Sequence, residues 1–392
     1  MGGPLPSHWK QLRLGEAVTL QRGKDLPVQE RLTGTYPVIG SSGIVGYHSH
    51  FVASGPGVLV GRSGSVGSVT WIEGEYWPLN TSLWVSDFHG NEPKFIYYFL
   101  EFLDLGKFTA GVSVPTLNRN TLHPLGVELP AVQEQRAIAQ TLDAVQRAIE
   151  TRQHELVLER ERKAALMDYL FTHGTRGEPT KQNEIGQMPE SWKVLRLEDV
   201  AMIERGKFSH RPRNAPEFYG GKIPFIQTGD VANSNGHIRA YSQTLNERGL
   251  LISRLFPRGT IVITIAANIG FTGILDFDSA FPDSLIGLTP TEAVLPEYLN
   301  YYLVTQQPEM DRKAPRGTQK NINIEFLKPW PVVVPQREEQ AAIAEVLKVC
   351  DAKIEGLQTE TSLLEELFRA MLDELMTSRL SATSLIEEHQ PQ

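Results

Sequence analysis

The residues of this chain whose types could support catalysis do not form a catalytic motif. The glycine-rich segment GRSGSVG (61–67) lacks the spacing and the lysine of a phosphate-binding loop. Pro282 and Asp283 have no partner at the spacing that nucleases use, and the ten histidines contain no HExxH zinc motif. The Asn/Asp-Pro-Pro-Tyr/Phe motif of adenine methyltransferases is also missing from the sequence. We therefore expect no catalysis in this chain, and any reaction it serves must occur in a partner.

Basic side chains do cluster in segments that contain glycine and proline. KFSHRPR (207–213) and RKAPRGTQKN (312–321) combine several cations, and Arg62 lies between glycines after a predicted strand. Arginine and lysine in such segments can neutralise phosphate oxygens. A solvent-exposed turn can have the same composition, so these clusters are candidate phosphate contacts and no more.

Bulk composition limits the class of protein. The net charge is −8, but the acidic residues are concentrated in 128–173 and 336–388, so a basic face remains possible elsewhere. The single cysteine, Cys350, excludes an internal disulfide and a cysteine-based zinc cluster. No apolar run could span a bilayer and the first residues lack the core of a signal peptide. We expect a cytoplasmic protein without membrane contact.

The elements that position these clusters occur twice. PSHWKQLRL (6–14) returns as PESWKVLRL (189–197), QRGK (21–24) returns as ERGK (204–207), and PKFIYYFL (93–100) resembles PEYLNYYL (296–303). Each copy begins with a part rich in glycine, β-branched and aromatic residues, which predicts strands at 57–62, 66–72, 259–266 and 270–277. Short helices are predicted around FIYYFLEFL and YLNYYLV.

Each copy ends with an apolar stripe at heptad spacing, which predicts a long helix of a coiled coil. In the first copy Arg152, Glu159 and Lys163 interrupt the stripe, and the long stems of the two cations could still cover apolar surface. The predicted core positions are Ile138, Leu142, Val145, Ile149, Leu156, Leu166, Leu170, Ile343, Leu347, Cys350, Ile354, Leu357, Leu364, Phe368, Met371 and Leu375.

A helix with one apolar stripe must bury it, and the other copy supplies an equivalent stripe. We therefore predict an α+β protein in which two similar β-rich mixed domains are separated by two long helices that form an antiparallel coiled coil, with an internal pseudo-two-fold repeat. The predicted segments are a first domain (1–130), a first helix (131–173), a linker (174–188), a second domain (189–335), a second helix (336–380) and a C-terminal tail (381–392).

The paired Pro-x-x-Trp openings, the joint HGTRGEPTKQNEIGQMPESW and the helix starts EQRAIAQTL and EQAAIAEVL resemble type I restriction-modification specificity subunits. The resemblance covers nearly the whole chain. It implies two target-recognition domains that bind double-stranded DNA, a complex with two modification (methyltransferase) subunits, and an optional association with restriction (motor and nuclease) subunits. It also implies no cofactor in this chain and S-adenosylmethionine in the methyltransferase. Unequal lobes predict an asymmetric bipartite site.

DNA readers contact phosphates with cations and base edges with arginine, lysine, asparagine or glutamine. Side chains of these types, with serines and histidines in predicted loops, are the candidate DNA contacts. In the first domain they are Arg22, Lys24, Ser41, Ser42, His48, Arg62, Ser63, Asn80, Lys107, Ser113 and Arg119. In the second domain they are Lys207, His210, Arg211, Arg213, Gln227, Asn233, Asn235, His237, Asn268, Arg312, Lys313, Arg316 and Lys320.

Two alternatives stay open on the sequence. The chain could be a structural adaptor with two lobes on a coiled-coil rod that binds only protein, in which case salt-sensitive DNA binding would be absent. It could also be an enzyme whose site follows no known motif. Trp9 and Trp192, at matched positions, are interpreted as core residues rather than as stacking platforms for bases.

Overall fold

The computed structural model describes residues 9–109, 115–210, 215–266, 268–315 and 320–382. By its internal contacts the chain divides into two compact units, Met1–His154 with Gln358–Gln392, and Glu155–Leu357. The two long helices each contribute one part to the first unit and one part to the second. The division between the units therefore lies inside the helices and not in the linker.

The first unit contains a β-rich lobe with two sheets. Its four-stranded sheet has the order β2-β8-β5-β6, its three-stranded sheet the order β4-β3-β7, and β1 pairs with β9. The strands are β1 (Lys10–Arg13), β2 (Thr19–Arg22), β3 (Tyr36–Gly40), β4 (Gly43–His48), β5 (Gly57–Gly61), β6 (Val69–Ile72), β7 (Trp77–Pro78), β8 (Ser82–Asp87) and β9 (Gly126–Leu129). The helices are α1 (Leu14–Ala17), α2 (Pro93–Phe102), α3 (Arg119–Leu122) and the long α4 (Val132–His173), with 3-10 turns at Val28–Glu30 and Leu105–Phe108.

The second unit contains a larger lobe of the same kind. Its sheets have the orders β13-β21-β18-β19-β15 and β16-β14-β20-β17, with separate pairs β10-β11 and β12-β22. The strands are β10 (Thr180–Asn183), β11 (Gly186–Pro189), β12 (Lys193–Arg196), β13 (Ala201–Arg205), β14 (Tyr219–Phe225), β15 (His237–Ile238), β16 (Gln243–Leu245), β17 (Leu255–Phe256), β18 (Ile261–Thr264), β19 (Thr272–Leu275), β20 (Ser279–Ala280), β21 (Leu285–Pro290) and β22 (Pro331–Val334). The helices are α5 (Leu197–Val200), α6 (Thr228–Ala232), α7 (Glu247–Leu251), α8 (Pro296–Lys313), α9 (Ile324–Leu327) and the long α10 (Arg337–Met376), with a 3-10 turn at Pro216–Phe218.

The four predicted strands correspond to β5, β6, β18 and β19. All residues of β5 and of β18 are buried, which explains why these segments are continuously apolar instead of alternating. The predicted short helix around YLNYYLV is longer than expected, because α8 continues past Pro308 to Lys313. Met310 is fully buried and Glu309 pairs with Arg312, and these contacts hold the last turns after the proline.

Both lobes begin and end on the same two-stranded pair. Lys10 lies opposite Leu129 in the first lobe, and Lys193 lies opposite Val334 in the second, in antiparallel pairs. Trp9 and Trp192, next to these strands, are 7% and 1% exposed. Each repeated opening segment thus forms a strand that pairs with the last strand of its own lobe. The long helix begins directly after that last strand.

Within each unit, a segment of α4 packs against a segment of α10. In the first unit, Ile138, Leu142, Phe368 and Leu375 belong to one core. In the second unit, Glu159 contacts Lys353, and Lys163, further along α4, contacts Asp351, which precedes Lys353 on α10, so the two segments run antiparallel. The predicted fold class is confirmed.

The predicted stripe positions are buried or half-buried along both helices. Those classed as buried are Ile138, Leu142, Ile149, Leu170, Ile343, Leu347, Cys350, Leu357, Phe368 and Leu375, and those half-buried are Val145, Leu156, Leu166, Ile354, Leu364 and Met371.

Candidate nucleic-acid interface

In the first lobe, the turn before β8 (78–82) brings together segments that are far apart in sequence. The amide of Gly23 donates to the carbonyl of Ser82 at 3.1 Å, and the amide of Lys24 donates to Pro78 at 2.8 Å. From the other side, the amide of Arg62 donates to the carbonyl of Thr81 at 2.8 Å. The end of β2, the turn and the loop after β5 therefore form one backbone framework, which we call the first corner (21–25, 61–68 and 78–82).

The first corner carries five of the eleven residues predicted for this lobe, namely Arg22, Lys24, Arg62, Ser63 and Asn80. Arg22 and Lys24 are exposed, and Arg62 is half-buried with its Nη1 3.4 Å from the carbonyl oxygen of Asn80. The Asn80 side-chain amide donates to the Asp25 carboxylate. Ser63 forms an isolated bridge to Thr116, and Ser41 accepts through its carbonyl a hydrogen bond from Ser68.

The second lobe has the same framework, which we call the second corner (204–208, 264–266, 268–271 and 281–285). The amide of Gly206 donates to Leu285 at 2.9 Å and that of Lys207 donates to Phe281 at 3.0 Å. The loop after the central strand also closes in the same way, since Gly270 donates to Thr264 at 2.9 Å and Gly67 donates to Gly61 at 2.9 Å. The two lobes therefore form the same corner from segments that share few identical residues.

Glycine is required at the centre of both QRGK and ERGK. A Cβ atom on Gly23 would lie 2.1 Å from the carbonyl oxygen of Leu79, and one on Gly206 would lie 2.3 Å from that of Pro282. Backbone atoms cannot yield at such distances. The glycine lets the strand end pass against the turn, and the cations on each side of it are placed at the corner.

The two corners share their flanking cations and differ in their other side chains. Arg22 pairs with Leu83, and Arg205 pairs with Ile286, at matching ladder positions. By the same alignment, Arg62 of the first lobe is replaced by Ile265, which is 1% exposed.

The remaining corner positions differ as well. Ser63 is replaced by Ala266, and Asn80 is replaced by Asp283, according to the matched bridges and turns. The shared frame thus carries two different sets of functional groups.

The cations fall into two groups by their partners. Among the residues that the structure describes, Lys24, Lys107, Arg119 and Lys207 have no carboxylate within ion-pair distance. In contrast, the described cations of the basic run in the second lobe form ion pairs with nearby carboxylates. Arg312 Nε lies 2.6 Å from Glu309, Lys313 Nζ lies 3.0 Å from Glu309, and Lys320 Nζ lies 2.7 Å from Asp311.

Glu309 has a low pKa for this reason. Hydrogen bonds from Arg312, and then from Lys313, lower the pKa of the Glu309 carboxyl to about 2. The carboxylate therefore remains charged at neutral pH and competes with any phosphate for both cations. Lys24 and Lys207 are the better candidates for phosphate contacts.

Several other predicted residues have partners inside the protein. His48 is 6% exposed and its Nδ1 accepts a hydrogen bond of 3.0 Å from the amide of Leu32, which makes it part of the lobe's interior. His237 Nδ1 lies 2.9 Å from Asp276, and the His210 ring centre lies 4.6 Å from that of Phe218. Ser42, Asn233, Asn235 and Asn268 are exposed, and Gln227 is half-buried. Ser113, Arg211, Arg213 and Arg316 lie outside the described residues.

Sequence reasoning missed two residues of the second corner. Arg205 donates from Nε to the carbonyl oxygen of Asp283 at 2.6 Å, so both residues belong to this surface. The repeated ERGK motif contains Arg205 and could have identified it by analogy with Arg22. Asp283 had no such signal, because only the strand register aligns it with Asn80.

The described residues contain no group of three or more histidine, cysteine, aspartate or glutamate side chains that could hold a metal ion. None of the helices in the described ranges is both long enough and apolar enough to cross a membrane. The corners are thus polar surfaces made of hydrogen-bonding groups and cations, which suit the binding of an anionic, hydrogen-bonding polymer.

Comparison with known proteins places the chain in a family. Residues 6–160 and 189–366 match the family described as Type I restriction modification DNA specificity domain. The MjaVIII specificity subunit of Methanocaldococcus jannaschii is 24% identical over 97% of this chain and 95% of the relative. The MjaIX specificity subunit of the same organism is 30% identical over 48% of this chain and 44% of the relative.

Solved structures agree in fold. The type I restriction-modification S subunit from M. genitalium has a TM-score of 0.64 at 16% identity and covers 96% of this chain and 97% of its own. A chain solved in work on complex assembly and conformational transition of the type I R-M system has a TM-score of 0.59 at 18% identity, over 95% and 99% of the two chains. The chain belongs to the family of type I restriction-modification DNA specificity subunits, which are not the catalytic subunits of such systems.

Proposed function

We propose that this chain reads an asymmetric bipartite DNA site, one half-site per lobe, for a type I restriction-modification complex. Each corner is the reading surface of its lobe. The chain itself transfers no methyl group and cuts no DNA, and S-adenosylmethionine is bound by the methyltransferase subunit. Its double-stranded DNA substrate and its partners imply action in the cytoplasm.

The observation that carries this proposal is the shared corner with different side chains. Lys24 and Lys207 occupy the same place in both frames, as expected of phosphate contacts that fix the position of a reader on the duplex. Arg62 has an apolar counterpart, Ile265, as expected of a group that reads a base in one half-site only. Common phosphate contacts with unequal base contacts predict two half-sites of different sequence.

The long helices support the docking of modification subunits. In the second unit Val157, Leu158 and Val349 are 50%, 49% and 57% exposed, and in the first unit Leu363 and Leu367 are 59% and 46% exposed. Val157 and Leu158 are consecutive on α4, and Leu363 and Leu367 lie one turn apart on α10. Exposed apolar side chains that neighbour one another are typical of protein interfaces. We propose that modification subunits bind along these helices, while restriction subunits are recruited through the same complex.

The test is to co-express the chain with the modification subunit of its own system and to sequence the methylated sites. The expected motif has two unlike halves around an unread gap. Arg62→Ala should relax or weaken one half and leave the other unchanged, since a bidentate arginine–guanine pair contributes about 1–3 kcal/mol of discrimination. Ile265→Val, at the matched position, serves as the control and should alter neither half, because this buried apolar side chain makes no base contact.

Other results would overturn parts of the proposal. Methylation by the purified chain alone would place catalysis in this protein. A change in both halves in Arg62→Ala would contradict separate reading by the two lobes. The absence of salt-dependent DNA binding by the complex would favour the alternative of an adaptor that binds only protein.

A further inference from the structure

The second lobe contains a cavity of about 450 Å³ next to the second corner. Its walls are Phe208, Tyr219, Phe225, Pro216 and Pro282, and two glutamines, Gln227 and Gln243, also line it. A volume of this size is within the range of small-molecule sites. The combination of aromatic rings and amides in one cavity suits a flat, hydrogen-bonding ring.

The aromatic wall consists of three rings in mutual contact. The Phe208 ring centre lies 5.3 Å from Phe225 and 5.8 Å from Tyr219, and Tyr219 lies 6.0 Å from Phe225. Phe208 and Phe225 are each 2% exposed, so they are fixed by the core beneath. Rigid aromatic walls are used by proteins that hold single unpaired bases.

The two glutamines present a matched acceptor and donor. Gln227 Nε2 donates to Gln243 Oε1 at 3.0 Å. This bond uses Gln227 Nε2 and Gln243 Oε1, so a lone pair of Gln227 Oε1 can accept from a ligand and Gln243 Nε2 can donate to it. Adenine offers the complementary edge, because its N6 amino group donates and its adjacent ring nitrogen accepts.

The Gln227 backbone is held in place as well. Its amide donates to Asp230 Oδ2 at 2.8 Å, at the start of α6, and the hydroxyl of Ser242 donates to the same carboxylate oxygen at 3.2 Å. Phe225 and Gln243 are opposite each other on paired strands. The amide pair is therefore attached to the same sheet that supports the aromatic wall.

The first lobe shows that the frame does not need these residues. Aligned through the two corners, Phe208 corresponds to Asp25, Phe225 to Val38 and Gln227 to Gly40. The first lobe forms its corner without an aromatic wall and without the amide at this position. The aromatic rings and the amide that line the cavity are thus features of the second lobe. A lobe of this kind can form its corner without them.

We propose that this cavity binds an adenine ring that faces Tyr219, the half-buried ring of the aromatic wall, with its amino edge on Gln227 and Gln243. The ring can be supplied as an unpaired adenine of DNA or as a free adenosine compound, because both present the same edge. The DNA source rests on the proposed function, whereas binding of adenosine itself does not.

The first experiment measures adenosine and inosine binding to the full chain by ligand-observed NMR titration. Inosine has an acceptor in place of the N6 donor, so we expect it to bind about tenfold more weakly than adenosine, the size of one lost amide–adenine pair. Gln227→Ala and Gln243→Ala should each weaken adenosine binding by a similar factor. Gln182→Ala, an exposed glutamine elsewhere in the second unit, is the control and should bind as the unaltered chain does.

Thermal melts check that the variants are folded. We expect them to be folded because neither glutamine belongs to the core beneath the cavity. Equal binding of adenosine and inosine, or adenosine binding unaffected by both substitutions, would overturn the proposal. A chain that binds neither nucleoside would also overturn it.

The second experiment identifies the source of the ring, with 20-bp duplexes that contain one unpaired adenine, one unpaired thymine, or no unpaired base. Tighter binding of the adenine bulge, lost in Gln227→Ala, supports delivery by DNA. Adenosine binding without any bulge preference supports a free adenosine compound and overturns delivery by DNA. If bipartite methylation persists while adenosine fails to bind, only the adenine cavity is wrong. If adenosine binds and the complex with the modification subunit binds no duplex, the proposed function is wrong instead.

Discussion

The side chain of Gln135 accepts, through Oε1, a hydrogen bond of 2.9 Å from the backbone amide of Glu92. Its Nε2 donates to Asn91 Oδ1 at 2.8 Å and to the carbonyl of Pro130 at 3.0 Å. Gln340 makes the same kind of attachment in the second unit, to the amide of Leu295 at 2.8 Å. One buried glutamine at the start of each long helix therefore fastens that helix to its own lobe.

We expect Gln135→Leu to lower the free energy of unfolding by about 2–3 kcal/mol. Leucine fills much of the space, but the buried amide of Glu92 and the carbonyl of Pro130 lose their partner, and each unsatisfied group costs about 1–3 kcal/mol. Urea denaturation followed by circular dichroism measures the change. Gln140→Leu, on an exposed site of the same helix, should change stability by less than about 0.5 kcal/mol. Equal effects of the two substitutions would contradict the anchoring role of Gln135.

Lys207 and Arg312 should differ in their effects on DNA binding. Lys207 has no carboxylate partner among the described residues, while Arg312 is paired with Glu309. Loss of one phosphate contact makes the negative slope of log K against log salt less steep by about 0.9. We expect this change in Lys207→Ala and a much smaller one in Arg312→Ala, measured by fluorescence anisotropy at several salt concentrations. The reverse order would assign the phosphate contacts to the paired basic run.

The repeat explains how much of this protein could be predicted from sequence. Matched motifs such as QRGK and ERGK predicted two similar lobes, and the apolar heptads predicted two long helices. Local patterns record these features because each needs a particular residue type at a fixed spacing. The frame of the corners was not predictable, since it depends on the register of β2 with β8 and of β13 with β21, which join residues distant in sequence.

The polar interruptions of the first heptad stripe were only partly understood from sequence. Arg152 and Lys163 were expected to cover apolar surface with their stems. The structure pairs Arg152 Nε with Glu360 at 2.8 Å and Lys163 with Asp351. The interruptions are positions where charges on α4 meet opposite charges on α10, within each unit. The sequence of one helix alone could not identify such partners.

His123 should make the first lobe sensitive to mild acid. Its Nε2 accepts a hydrogen bond of 3.0 Å from the amide of Leu20, which requires the neutral ring. Burial, with a smaller effect of Arg119, lowers the pKa of His123 below its ordinary value of 6.5. The unfolded chain then takes up the proton more readily than the folded chain. The contribution of the neutral His123 ring to stability should be fully present above pH 6.5. It should decrease as the pH falls below that value.

The measurement compares urea midpoints at pH 7.5 and pH 5.5. His123→Gln keeps a hydrogen-bond acceptor without a titrating ring, so its midpoint should depend less on pH in this interval. His154→Gln, an exposed histidine of α4, is the matched control and should retain the pH dependence of the unaltered chain. If His123→Gln and the unaltered chain show the same decrease, the Leu20–His123 bond is not the source.

Glu159 should stabilise the helix pairing of the second unit through its charge. Its side chain is 4% exposed and receives hydrogen bonds from Arg162 Nε at 3.0 and 3.1 Å and an ion pair from Lys353 at 3.2 Å. The hydrogen bond from Arg162 is the main cause that lowers the pKa of Glu159 below its ordinary value of 4.5. Its stabilising contribution should therefore be present above pH 4.5 and should disappear as the pH falls through the lowered pKa.

Glu159→Gln has nearly the same shape but no charge, so we expect a loss of about 2 kcal/mol at pH 7, the size of a hydrogen bond to a charged group. At pH 3.5 the difference between the variant and the unaltered chain should be smaller, because the unaltered chain has by then begun to lose the same contribution. Guanidinium denaturation would obscure the ion pair by screening, so urea is the denaturant to use. Glu161→Gln, an exposed neighbour on the same helix, should change stability by less than about 0.5 kcal/mol at either pH. A constant difference between Glu159→Gln and the unaltered chain at both pH values would show that packing, and not charge, determines the role of Glu159.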